Sequence, residues 1–456
     1  MHRTAVLNVV GLSRRLLGAE TPNLSALASA GATLDPVLPA VTCTAQATYL
    51  TGTAPREHGI VGNGWYFRDL DEVLFWRQSN RLIQAPKVWE LARRRDPSFT
   101  CANLFWWYAM ATTADITLTP RPLYLQDGVK VPDCYSVPPS LRRDFNRDFG
   151  RFPLFHFWGP ATSIASSEWI ARAAMAVEER HRPTLQLIYL PHLDYVLQRQ
   201  GPAGADVAAH LAEIDEVCGR LIELFRERGL RIIVLSEYGI TAVERPVHVN
   251  RRLREAGLLA IKEDLGREYL DTATCAAFAV ADHQVAHVYV QEKERLEEVR
   301  ELFLATPGVA EVLDRRQQQG VGLDHPRSGE LVLLAEPASW FTYYFWQDDE
   351  RAPDYARTVD IHRKPGYDPC ELLVDPELSW PRLKAGLTLA RKWLGFRYTM
   401  ELTPLDASLI QGSHGVAAGG PEDQPVFLTS EPRFLEADRL DPLEVRNQIL
   451  RHVFDT

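Results

Sequence analysis

Ala5-Val-Leu-Asn-Val-Val10 runs straight into Gly11, and this stretch decides the fold. It reads as a continuous apolar strand, the pattern of a strand covered on both faces. Thr21-Pro22-Asn23 then offers a helix start, with Thr as the cap and Pro in the first turn. A helix follows from Leu24 to Ser29 and ends near Gly31. Strand, turn and helix in this order form the opening unit of a doubly wound sheet.

Two more apolar strands fit the same sheet, at Leu185–Leu190 and at Arg231–Leu235. A helix from about Asp206 to Arg228 precedes the latter, with Ile214, Val217, Leu221, Leu224 and Phe225 at three- and four-residue spacing. Pro425-Val-Phe-Leu-Thr429 reads as a last strand. The predicted class is α/β, a doubly wound, mainly parallel sheet with a small inserted α+β subdomain. Residues 1–254 and 341–456 are assigned to the core. Residues 255–340 are assigned to the insertion, because Ala286–Val290, Lys293–Leu304 and Gly308–Val312 read as strand, charged helix and strand. The aromatic run Trp340–Trp346 is expected to return the chain to the main sheet.

Composition narrows the function class. The chain has 456 residues, 46% hydrophobic and 24% charged, with a net charge of −10. That balance is of a soluble globular protein and does not favour a nucleic-acid backbone as partner. Six scattered cysteines with no CxxC pair read as free thiols of a reducing compartment. No apolar stretch is long enough for a membrane span and no signal segment is evident. The expected location is cytoplasmic. Oligomeric state is not legible.

In open α/β sheets ligands gather at the carboxyl ends of the strands. Polar residues stand at such ends at Thr42 after Leu38–Val41, at Asp194 after Leu190, and at Glu237-Tyr238 after Leu235. Gly412-Ser-His414-Gly415 lies just before the last strand. Each alone is commonplace: Thr42 as a helix cap, Asp194 as a loop cap, His414 as a turn residue. Together they can converge.

Pro39-Ala-Val-Thr-Cys-Thr-Ala-Gln-Ala-Thr-Tyr-Leu-Thr-Gly-Thr-Ala-Pro-Arg-Glu-His-Gly-Ile-Val-Gly-Asn63 resembles the nucleophile segment of the type I phosphodiesterases and nucleotide pyrophosphatases, a branch of the alkaline-phosphatase superfamily. The wider sequence also resembles the phosphodiesterase-like proteins of ebo gene clusters. The resemblance implies Thr42 as nucleophile, nine residues before the Thr51-Gly52 pair. It implies two divalent metals, and here the ligands depart from the pattern. The first family aspartate falls on Val10, and a family histidine falls on Gln198. Ser-Asp-His-Gly becomes Ser236-Glu237-Tyr238-Gly239, and an oxyanion-stabilising Asn falls on Ala45. Asp194 and His414 are kept. One metal position is then expected from Asp194, Gln198 and His414. A second, from Glu237, Tyr238 and Thr42, is expected to be empty or weak, since tyrosine ligates only when ionised. The cofactor implied is zinc, manganese or magnesium, as one ion or a weakly held one.

Other ligand types could rebuild a site: His192 two residues before Asp194, and Asp282-His283 and His287 in the inserted layer. His362, Arg363 and Lys364 flank a Pro-Gly turn and are candidates to hold a phosphate or carboxylate. The expected function is hydrolysis or transfer of a phosphodiester- or pyrophosphate-type ester of a small molecule. The alternative is a non-hydrolytic descendant, a binding protein or an enzyme of other chemistry, that reuses the cleft.

Overall fold

The computed structural model describes residues 1–28, 31–126, 129–417 and 419–455. The expected helix end at Ser29 lies outside them. The strands of the main sheet are β1 (Thr4–Val9), β2 (Gly31–Leu34), β3 (Cys101–Leu104), β4 (Ile116–Pro120), β5 (Cys134–Val137), β6 (Leu185–Leu190) and β7 (Arg231–Leu235). A second sheet contains β8 (Ala277–Asp282), β9 (Val285–Val290), β10 (Val309–Leu313) and β11 (Leu331–Ala335). The chain then returns to the main sheet as β12 (Val426–Thr429) and β13 (Arg439–Leu440). The helices used below are α1 (Pro22–Ala28), α2 (Thr42–Thr51), α3 (Ala165–His181), α4 (His192–Gln200) and α5 (Val207–Glu227).

Among the described residues the main sheet has nine strands in the order β13-β2-β12-β7-β1-β6-β3-β4-β5. Strands β7, β1, β6, β3 and β4 are all parallel. β12 runs antiparallel to both its neighbours, and so does β5 to β4. The three strands read as apolar runs are thus adjacent, with Leu7 opposite Ile188 on one side and Val234 on the other. Every residue of β1, β6 and β7 is buried. Full burial of one such aliphatic side chain is worth about 1.5–3 kcal/mol, which is why a central parallel strand needs no polar face. α5 buries Ile214, Val217, Leu221 and Phe225 along one stripe, as their spacing requires.

Two expectations are corrected. Leu38–Val41 is not a strand. Pro39 has no N–H to give a ladder, and the Ala40 N–H donates instead to the Gly415 carbonyl at 2.8 Å. The aromatic run does not rejoin the main sheet. Ser339–Phe341 pairs in parallel with Arg245–Val247, and Trp340, Tyr343, Tyr344 and Trp346 pack into the core of the second sheet. That sheet has four strands in the order β8-β9-β11-β10. So small a sheet buries little alone, and the aromatic run adds large side chains to its core. The six cysteines are buried and free.

Candidate functional site

Thr42 opens α2, a helix whose ten residues are all buried. Val41 is extended just before it, and Gly52 ends it in the left-handed region, its N–H on the Thr48 carbonyl. The helix therefore carries Thr42, Gln46 and Thr48 through the interior, where each polar atom needs a partner.

The Thr42 Oγ1 lies 3.1 Å from the Tyr238 hydroxyl. Tyr238 donates to Asp194 Oδ1 at 3.0 Å. A phenol has one proton, so Thr42 is the donor to Tyr238. Asp194 Oδ2 accepts from Gln198 Nε2 at 2.7 Å, and Gln198 Oε1 accepts from the Tyr367 hydroxyl at 2.8 Å. A chain of hydrogen bonds thus joins Thr42, Tyr238, Asp194, Gln198 and Tyr367. Asp194 and Gln198 sit at i and i+4 of α4, one above the other.

His414 closes the group from the far end of the chain. Its Nδ1 donates to the Ala40 carbonyl at 2.7 Å. Its Nε2 is therefore a bare acceptor, and it is buried without a hydrogen bond. The nearest carboxylate oxygen is Asp194 Oδ1 at 3.9 Å. The ring lies flat on Tyr238, centroids 3.5 Å apart at 7°. His283 covers it at 3.8 Å and stacks on Tyr367 at 3.7 Å. His283 reaches there from the turn between β8 and β9, where its φ is +60°. A histidine in that region is uncommon, and the turn aims the ring onto His414 and Tyr367.

Glu237 is held by amides. Its Oε1 accepts from Asn8 Nδ2 and from Gln46 Nε2, both at 2.6 Å. Gln46 is itself oriented by the Trp107 N–H on its oxygen at 2.7 Å. Glu237 Oε2 is buried and unpaired. Asp282 accepts from the Asn63 backbone at 2.7 Å and from the Asn63 amide at 3.0 Å. Asn63 in turn caps the Cys43 N–H in the first turn of α2 at 2.9 Å.

Burial dominates the electrostatics. It pushes Asp194 up to about 7 and Glu237 up to about 8, against the hydrogen bonds each accepts. Asp282 is raised to about 6 for the same reason. The Tyr238 hydroxyl is pushed well above its ordinary value by burial and by the two carboxylates. It stays protonated and acts as a donor.

Thr42, Asp194, Gln198, Tyr238 and His414 are thus brought together, with Glu237 following Ser236 on the Asn8 and Gln46 side. The other three candidates have other surroundings. Lys364 is buried between Asp368 at 2.7 Å and Glu371 at 2.8 Å, which hold it charged. Arg363 is half exposed and paired with Asp354 at 2.8 Å. His362 is lowered to about 4 by burial, and its Nδ1 has no hydrogen bond. The Asp360–Pro369 segment enters the group through Tyr367 instead. Asn8, Gln46 and Asn63 went unassigned in the sequence, whereas Asp282 stood there as a ligand type beside His283. Asn63 could have been found, since it ends the nucleophile motif, and Asp282-His283 stands out as a ligand-type pair at a strand end.

A model of the type I phosphodiesterase / nucleotide pyrophosphatase family matches residues 4–368. The chain belongs to that family. An uncharacterised pyrophosphatase/phosphodiesterase of Schizosaccharomyces pombe is 26% identical over 230 residues, 48% of this chain and 41% of that protein. The match therefore spans about two fifths of the curated relative. Among solved structures, murine ectonucleotide pyrophosphatase/phosphodiesterase 5, as an inactive variant with AMP, superposes with a TM-score of 0.59 at 13% identity, covering 99% of this chain and 95% of that one. Phosphonoacetate hydrolase of Sinorhizobium meliloti with phosphonoformate gives 0.60 at 15%, covering 99% and 96%. Both have this alkaline-phosphatase-like fold.

Type I phosphodiesterases depend on metal, typically zinc. The donor set here does not fit a pair of ions. Val10 offers no ligand atom, and Tyr238 fills the space between Thr42 and Asp194 with a protonated phenol. Gln198 turns its NH₂, not its oxygen, to Asp194. Among the described residues, Asp194, Glu237 and His414 do not bring three ligand atoms together. Only Asp194 and the bare His414 Nε2 present lone pairs to one another.

Proposed function

We propose that the chain is a phosphoester hydrolase or phosphoryl transferase of the phosphodiester or pyrophosphate type, with Thr42 as nucleophile and at most one firmly held ion at this centre. The observation that carries the reading is the directed hydrogen-bond chain from Thr42 through Tyr238 to Asp194. It holds the hydroxyl proton on the Tyr238 side and leaves the oxygen lone pairs free for phosphorus.

In this scheme Thr42 Oγ1 forms a bond to phosphorus as its proton passes to Tyr238, whose own proton passes to Asp194 Oδ1. The bond from phosphorus to the leaving oxygen breaks, and that oxygen keeps the electron pair and takes a proton from solvent. Water then cleaves the threonine ester, and the protons return along the same chain. A small phosphorylated molecule is the substrate class. AMP and phosphonoformate, seen with the two structural relatives, both carry a phosphorus oxyanion. His362, Arg363 and Lys364 stand in surroundings other than the Thr42 centre, and no step of this scheme uses them.

A second reading has its own support. The chain that ends at Tyr367 is closed and buried, with Thr42 only 3% exposed. A non-hydrolytic protein that inherited the cleft has no need to open it. Aryl phosphodiester and monoester substrates, assayed across zinc, manganese and magnesium on wild type and Thr42→Ala, separate the readings. Turnover by wild type alone supports the hydrolase. Equal turnover by both rejects Thr42 as nucleophile, and silence of both on every substrate favours the non-hydrolytic reading.

A further inference from the structure

His192 is the first residue of α4, and its side chain is buried. It stands on the opposite face of the helix from Asp194, since two residues turn an α-helix by about 200°. There it meets α5. His192 Nε2 lies 2.8 Å from His210 Nδ1 and 2.9 Å from Glu213 Oε2. His210 Nδ1 and Glu213 Oε2 are 3.5 Å apart. His210 and Glu213 are neighbours at i and i+3 of α5.

The protons do not suffice for this triangle. A neutral ring nitrogen is either a donor or an acceptor. If His192 Nε2 carries a proton, it can serve both partners, but His210 Nδ1 and Glu213 Oε2 then face each other with lone pairs. If His210 Nδ1 carries it, His192 Nε2 accepts, and its lone pair meets the carboxylate at 2.9 Å. A second proton would relieve either arrangement, but burial and Arg199 oppose it at both rings. A cation at the centre satisfies all three atoms at once. Ligands about 2.0–2.2 Å from a tetrahedral zinc ion stand about 3.3–3.5 Å from one another, so the three atoms need only small outward shifts.

We propose that His192, His210 and Glu213 form a binding site for one divalent transition-metal ion of the zinc class, separate from the Thr42 centre. Two imidazoles and a carboxylate supply three ligands. Solvent supplies the fourth, because the His210 and Glu213 side chains are 21% and 47% exposed. The ion joins the start of α4 to α5. It thereby braces from behind the helix that carries Asp194 and Gln198, so its role is structural or regulatory.

The test uses the full chain freed of metal by a chelator. Zn²⁺ is titrated by calorimetry, and Co²⁺ is added to read its visible absorption. The expected result is one equivalent at this site, additional to any ion at the Thr42 centre and identified by its loss in the variants below, bound with micromolar or tighter affinity and giving the intense bands of a tetrahedral cobalt site. His210→Ala and Glu213→Gln, both at partly exposed positions, should weaken binding at least tenfold and lose those bands. Asp194→Asn should leave affinity and spectrum as in wild type. The proposal is overturned by a wild type that binds no ion, by His210→Ala binding as wild type does, or by loss of this ion in Asp194→Asn. None of these readouts depends on phosphoester turnover, so the site and the Thr42 chemistry succeed or fail separately.

Discussion

The Thr42 centre and the His192 cluster lie on opposite faces of α4 and treat their lone pairs in opposite ways. At Thr42, hydrogen-bond donors have moved in where ligands are expected. The Gln198 amide serves Asp194, the Tyr238 phenol bridges it to Thr42, and two amides serve Glu237. At His192, three ligand atoms converge within 3.5 Å and no donor separates them. The contrast teaches that a residue's capacity to ligate says little until its neighbours' protons are counted. Asp194 has the more familiar ligand chemistry, yet its oxygens are occupied.

Substitutions can break this comparison. The largest effect is expected from Thr42→Ala, which should lower phosphoester turnover by ~10³-fold or more. The cap role expected from the sequence is not the one found, since Val41 is the N-cap and the Thr42 side chain caps no backbone N–H; a denaturation curve run beside the assay should therefore separate lost activity from lost stability. Tyr238→Phe keeps the ring on His414 and removes only the hydroxyl. It should cut kcat by about 10²–10⁴-fold if the phenol passes the proton. An unchanged kcat would remove Tyr238 from the mechanism.

Acid should act against the His58 end of α2. His58, buried beside α2, accepts the Ile60 N–H at Nδ1 and faces the Thr48 hydroxyl at 3.1 Å with Nε2. Burial lowers it to about 3. The unfolded chain binds a proton there below about 6.5 while the folded chain does not, so stability falls as pH drops from 6.5 toward 3. The loss is on the order of 1.4 kcal/mol per pH unit from this group. Asp194, Glu237 and Asp282, raised by burial, contribute with the opposite sign in this window, so the His58 slope is read as the difference between chemical denaturation of wild type and of His58→Gln across it. The smallest effect belongs to His210→Ala without metal, within about 0.5 kcal/mol of wild type, as for a partly exposed position. With zinc present the two proteins should differ in Tm, and equal shifts would place the ion elsewhere.

The sheet was legible because a parallel strand buried on both faces has no polar position to blur its pattern, as Ala5–Val10 shows. The members of the centre at strand ends, such as Asp194 and Glu237, were legible because ligands collect there. Their donors were not. Asn8 lies inside β1, Gln46 inside α2, and Tyr367 and His283 come from segments whose spacing carries no signal of what they touch. Arg363 and Lys364 were legible only as cations, and a cation in sequence looks the same whether it awaits a phosphate or already holds Asp354 or Asp368. His192 was visible as a ligand type, but His210 and Glu213 looked like the solvated side of an amphipathic helix.

The bond from His414 to the Ala40 carbonyl joins residues 374 apart in the chain. β12, which follows it, inserts between β2 and β7. On a ribosome adding about 5–20 residues per second, Thr42 is made tens of seconds before the imidazole that faces its partner. The loop before Thr42 has no Gly415 carbonyl to hold it during that time. The nascent chain can pair β1 with β6 and β7 early, yet the contacts of His414 with Ala40 and Tyr238 form only after residue 414 has been made.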